Sequence, residues 1–170
     1  GSSHFDEPFY QEGIVSKAVD TVRATGVDYF SAAANNSISF NGHDVGSYEA
    51  VGGYRPTACP VGVTLESGLT DCHNFNGAGG SPDPDFGFTV QPNDPITVDL
   101  QWAEPQFGVD TDMDLFLVNS AGTVLAQSTT GNPGGSEEPF EFLRWTNGGS
   151  AQAVRLVIAR YANTPNLNGT

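Results

Sequence analysis

Ile96-Thr97-Val98-Asp99-Leu100-Gln101-Trp102 places an apolar side chain at every second position, with Thr97, Asp99 and Gln101 between them. Successive side chains of an extended chain point to opposite faces, so the stretch reads as a strand with one face buried and one wet. The same beat returns at Met113, Leu115 and Leu117, and Asn119-Ser120-Ala121-Gly122 then supplies the residues of a hairpin turn. Working outward from these two runs, strands are expected at 88–90, 96–102, 113–118, 123–127, 140–145 and 153–161. Six short strands with clear turns between them predict a sandwich or jelly roll of antiparallel sheets over residues 86–163. Trp102 shares the parity of Ile96, Val98 and Leu100 and is expected in the core, whereas the parity of Trp145 leaves its side open.

The composition agrees. The chain has 170 residues, enough for one well-buried core carrying an extension, and its 21 Gly and 11 Pro favour turns over long helices. The formal net charge of -14 comes from a shortage of Lys and Arg, which total six. Such a surface repels nucleic acid and anionic membranes, so neither is an expected partner. No run of about 18 apolar residues occurs, so no helical membrane span is predicted. Gly1 to His4 have the look of vector-derived sequence, and a secretion signal is expected upstream of them.

N-terminal to the sandwich, Ile14, Val15, Ala18, Val19 and Val22 recur at helical spacing, and Gly26 is placed to close the helix in a left-handed conformation. The next stretch, 27–34, reads as a strand. From Asn35 to about Phe86 the periodicity disappears, and Gly, Pro, Asn and Ser punctuate a loop-rich connector with a short strand expected near 61–65. The fold class is therefore mainly β, an antiparallel sandwich or jelly roll with a short helix-strand flank. Its divisions are 5–36, 37–85 and 86–163.

Cys59 and Cys72 are the two cysteines. A disulfide is the simple reading; it would contribute about 3 kcal/mol and point to an oxidising, extracellular compartment. The alternatives are two free thiols, or a zinc site with His43 or His73, although no CxxC or HxxxH pair supports zinc. His43 and His73 otherwise read as surface residues of loops. Asp110, Asp112 and Asp114 alternate, so on one extended strand their carboxylates would share a face and call for a cation. Calcium, completed by Asn119 or backbone carbonyls, is the candidate cofactor. The alternative is a strand that begins at Met113, leaving Asp110 and Asp112 as loop residues and Asp114 bonded to a turn. Asp83 and Asp85 form a second acidic candidate.

From Ala18-Val19-Asp20 through Gly26-Val27 to Ala32-Ala33-Ala34-Asn35, the chain resembles the helix and strand of subtilisin-like serine proteases that end at the oxyanion asparagine; Ala34 stands where that family usually has Gly. The resemblance implies that Asn35 is the side-chain donor of the parent enzyme's oxyanion hole. Without it, Asn35 and Asn36 read as turn residues. The motifs that carry that family's serine, histidine and aspartate do not occur in this sequence, so the chain alone is expected to be inactive. Ile96 to Trp102, Asp112-Met113-Asp114-Leu115-Phe116-Leu117 and Gly122 to Ser128 resemble, in order and spacing, the pre-peptidase C-terminal β-sandwich domains that accompany secreted bacterial proteases. Together these resemblances imply a non-catalytic accessory or inserted domain of a secreted subtilisin-like endopeptidase. Its partners would be the catalytic domain of the same polypeptide and a protein or polysaccharide substrate. The rival readings are a carbohydrate-binding module using exposed aromatic rings and an adhesion module stiffened by calcium.

Overall fold

A computed structural model describes residues 7–31, 39–40, 43–44, 46, 48–63, 68–77 and 79–161. The chain divides into two units, Gly1–Val51 and Gly52–Thr170.

In the first unit the expected helix is present as α1, Ile14–Arg23. Its N-terminus leaves backbone donors without helical partners, and the Glu7 carboxylate takes one of them, the amide of Val15, at 3.3 Å. At the other end the Gly26 amide donates to Arg23 O at 2.9 Å with Gly26 at φ 86°, the left-handed stop anticipated from its position. No residue of α1 is buried. Residues 27–31 are exposed and form no strand, which corrects that part of the strand expected over 27–34; residues 32–34 lie outside the described residues. Two short strands, β1 (Ser39–Phe40) and β2 (His43–Asp44), pair antiparallel.

The second unit is the predicted antiparallel sandwich. Its strands are β3 (Pro56–Thr57), β4 (Leu69–His73), β5 (Phe86–Val90), β6 (Pro95–Gln101), β7 (Met113–Asn119), β8 (Val124–Ser128), β9 (Phe140–Thr146) and β10 (Gln152–Tyr161). The six strands expected beyond residue 86 all appear, shifted at their ends by a residue or two. The long strand β10 organises the larger sheet. One edge pairs with β7, from Val154 opposite Asn119 to Arg160 opposite Met113. The other edge is shared, with β5 against Gln152–Leu156 and β4 against Ala159–Tyr161. Outer strands β3 and β8 complete this sheet, while β6 and β9 pair in register from Pro95 opposite Thr146 to Gln101 opposite Phe140 as the second layer. β3 and β4 come from the region expected to be a connector; residues 61–63 there are a turn where the start of a strand at 61–65 was expected, and 64–65 lie outside the described residues.

The main core lies between the layers. Leu115 and Leu117 of β7, Val154 and Ile158 of β10, Val90 of β5 and Leu143 of β9 meet there with Trp102, which is 7 % exposed as its parity predicted. Trp145 packs against the same cluster, which settles the question of its side.

The opposite face of β7 departs from the simple alternation. Phe116 and Val118 lie on the face opposite Leu115 and Leu117, yet both are fully buried with Val157, Ala159, Cys72 and Val63. The cover is the segment around Cys59–Val63, tied to β4 by the Cys59–Cys72 disulfide with a Cα separation of 4.8 Å. Gly62 and Gly122 let this cover approach the β7–β8 hairpin. A Cβ on Gly62 would collide with Gly122 O, a Cβ on Gly122 would lie 2.7 Å from Val61 O, and both residues have positive φ. Only glycine combines that backbone angle with so close an approach. The hairpin itself is closed by Asn119, whose Oδ1 accepts the amides of Ala121 at 3.0 Å and Thr123 at 2.9 Å.

Candidate functional site

The acidic run Asp110–Asp114 sits where the chain enters β7, and each of its carboxylates meets a different fate. β7 begins at Met113, so the three residues do not lie on one extended strand. Asp110 is exposed. Asp112 is half-buried and its Oδ1 accepts the amide of Asn132 at 3.1 Å, while its carbonyl accepts the amide of Tyr161 at 3.0 Å. Asp114 is 3 % exposed on β7, opposite Ala159. Asn119, the residue proposed to complete a calcium shell, already accepts two amides in its hairpin. The described residues contain no cluster of three or more His, Cys, Asp or Glu arranged to hold a metal.

What the same region does contain is a set of polar hubs that hold loops onto the sandwich. The Glu104 carboxylate accepts four hydrogen bonds: Trp102 Nε1 at 3.1 Å, the amides of Asp110 and Thr111 at 3.2 and 3.0 Å, and Thr111 Oγ1 at 2.6 Å. One carboxylate thus closes the 102–111 loop, and charge-assisted bonds of this kind are stronger than neutral ones. Asn132 is fully buried; its Oδ1 accepts the Met113 amide at 3.1 Å and its Nδ2 donates to Glu141 Oε1 at 3.1 Å. Glu141, 1 % exposed, also accepts the hydroxyl of Ser128. Burial pushes the Glu141 carboxyl above the usual carboxylate range, the Asp112 charge adds to the shift, and the donated hydrogen bonds oppose it.

At the β4–β10 junction Arg160 is 6 % exposed and forms a two-pronged pair with Asp71, with Nε–Oδ1 at 3.1 Å. Its guanidinium stands 4.9 Å from the ring centroid of Tyr54. Burial, with the Asp71 carboxylate next in size, raises the Tyr54 phenol above its usual value. His73 corrects the expectation of a surface histidine: it is 2 % exposed, and its Nδ1 accepts the Arg55 amide at 3.3 Å. Burial, helped by the positive charge of Arg55, lowers its pKa from 6.5 to about 4, so it is neutral at pH 7.

The cysteines form the predicted disulfide, which leaves neither as a free thiol nor as a zinc ligand. Asn35 lies outside the described residues, as does the side chain of His43. Of the second acidic candidate, Asp85 pairs with Arg155 at 3.1 Å. The Asp83 backbone carbonyl and amide bond Phe75 N and Asn74 Oδ1. Reasoning from the sequence missed Glu104, Asn132, Glu141 and the Asp71–Arg160 pair. For the last the signal was present, since an Arg that ends the apolar run Val157-Ile158-Ala159 needs a buried counter-charge. Comparison with protein-family models, with curated proteins and with solved structures gives no match.

Proposed function

We propose that this chain is a non-catalytic accessory or inserted segment of a secreted subtilisin-like serine endopeptidase, with a structural or protein-interaction role. The observation that carries the reading is α1. Its stripe resembles the helix preceding the oxyanion strand of that family, and it buries none of its residues here, with Ile14 at 85 % exposure and Phe30 beyond it at 89 %. Apolar side chains so placed suit elements whose packing surface is the catalytic core of a parent enzyme. The sandwich suits an accessory role because Glu104, Asn132 and the Asp71–Arg160 pair engage in bonds that hold the fold itself. The disulfide agrees with an extracellular protein.

The decisive experiment assays the purified chain on a peptide substrate, with and without a serine-directed inhibitor. No hydrolysis is expected, and inhibitor-sensitive hydrolysis would end the proposal. Calcium held by Asp110, Asp112 and Asp114 is part of this reading. A rise in melting temperature with Ca²⁺ that Asp112→Ala and Asp114→Ala abolish would support it. A carbohydrate-binding role is the second reading, favoured by Phe140 and Phe142, whose rings stack at 6.0 Å and 21° with Arg144 over the second ring.

A further inference from the structure

The loop between β6 and β7 carries a residue that works against folding in two ways. Phe107 has φ 65°, in the left-handed region that a bulky side chain adopts only at a cost in strain. It is also 77 % exposed, so its ring recovers little burial energy in return. A glycine or asparagine would hold the same turn without either penalty.

The surroundings hold this ring in place. Trp102 and Val109, on either side of the tip, are buried in the core. The Glu104 carboxylate bridges the base through its four hydrogen bonds, and the Gly108 amide closes the tip onto Pro105 O at 3.1 Å. From the side, the Phe107 amide donates to Glu137 O at 2.6 Å and Gln106 Nε2 donates to Glu138 Oε1 at 3.0 Å. Glu137 is itself left-handed at φ 56°. Two non-glycine residues with positive φ therefore meet backbone to backbone beneath an exposed ring.

The chain that forms this loop and the segment bonded to it carries charge of one sign. No Lys or Arg occurs between Arg55 and Arg144, while Glu104 and Asp110 belong to the loop and Glu137 and Glu138 to the segment that bonds it. An exposed aromatic on a preformed loop loses little conformational freedom on binding, and an acidic rim selects a basic counterpart.

We infer that residues 103–110 are a preformed contact element, in which Phe107 is the anchor that enters an apolar pocket rimmed by Lys or Arg on a protein partner. The inference rests on the interaction role proposed above, and it supplies that role with a site and a partner chemistry. It does not depend on the parent being a protease, so the hydrolysis assay and the test below fail separately.

The probe is an amine-substituted β-cyclodextrin, a host with an apolar cavity and a cationic rim, with neutral β-cyclodextrin as the charge control. Ring-proton NMR of the whole chain follows Phe107 during each titration. The Phe107 ring is expected to titrate with the cationic host at a concentration at least tenfold below that for the neutral host, and the gap is expected to close in high salt. Glu137→Gln with Glu138→Gln is expected to narrow it at low salt. Equal affinity for the two hosts, or a Phe107 ring that does not respond, overturns the inference. Phe107→Gly supplies a second measurement that needs no ligand. Its melting temperature is expected to equal or exceed that of the wild type because strain is relieved and little burial is lost. A fall of more than about 5 °C, corresponding to roughly 1 kcal/mol, would make the ring a structural element and overturn the inference as well.

Discussion

Helix α1 and strand β7 are both rich in apolar side chains, yet they end in opposite conditions. Along β7, Leu115, Phe116, Leu117 and Val118 are fully buried, whereas Ile14 of α1 is 85 % exposed and no residue of that helix is buried. Periodicity identified both elements, so periodicity alone does not determine burial. β7 has a layer on each side: β6 and β9 across the main core, and the disulfide-tied cover on the other face. An amphipathic stripe contributes stability only to the extent that some surface removes it from water.

The largest effect expected from this contrast comes from substituting alanine at one position in each element. Phe116→Ala is expected to destabilise the sandwich by about 3–5 kcal/mol, because it removes a filled site beneath a cover that cannot collapse freely. Ile14→Ala is expected to change stability by under about 0.5 kcal/mol, as surface substitutions do. Urea unfolding of both variants measures the pair. Similar losses at the two positions would mean that α1 has a burial partner in the isolated chain.

A smaller effect is expected from the cover. Cys59→Ser with Cys72→Ser should cost about 3 kcal/mol, mainly through the freedom regained by the unfolded chain. If β7 depends on that cover, the variant also exposes Phe116 and Val118, and amide exchange in β7 accelerates more than in β6. Uniform acceleration across both layers would show that the staple acts on the unfolded state alone.

The smallest effect concerns pH. The folded-state pKa of His73 is lowered to about 4 from an ordinary 6.5, so the unfolded chain binds a proton over this interval that the folded chain refuses. Stability therefore declines as pH falls from 6.5 toward 4. Glu141 carries the opposite sign: its carboxyl is raised by burial, so its contribution is complete at low pH and falls as pH rises through its folded-state titration. Thermal melts of His73→Phe are expected to show a shallower loss than the wild type between pH 6.5 and 4, by a few degrees. Parallel curves would show that His73 protonates freely in the folded chain.

Much of the sandwich was legible because strand parity is local. Ile96, Val98, Leu100 and Trp102 announced β6 and its buried face, and Asn119 to Gly122 announced the β7–β8 hairpin through a side chain that satisfies its own turn. The acidic run was less legible. Whether Asp110, Asp112 and Asp114 share a face depends on where the strand begins, and a start at Met113 removes two of them from it. Glu104, Asn132 and Glu141 were invisible for another reason. Their partners lie in other loops and strands, as when Asn132 joins Met113 to Glu141, and nothing local marks an asparagine as a hub.

Short-range chemistry written along the chain thus determined the strands, their turns, the left-handed stop at Gly26 and the pairing available to two cysteines. Only the tertiary structure decided that Phe116 and Val118 are dry, that His73 is buried and neutral, and that the acidic residues hold loops in place. The physical reason is that alternation states which side chains share a face, whereas burial and protonation depend on what is laid against that face. Here the cover is brought there by a distant segment, through the Cys59–Cys72 link and the contact between Gly62 and Gly122.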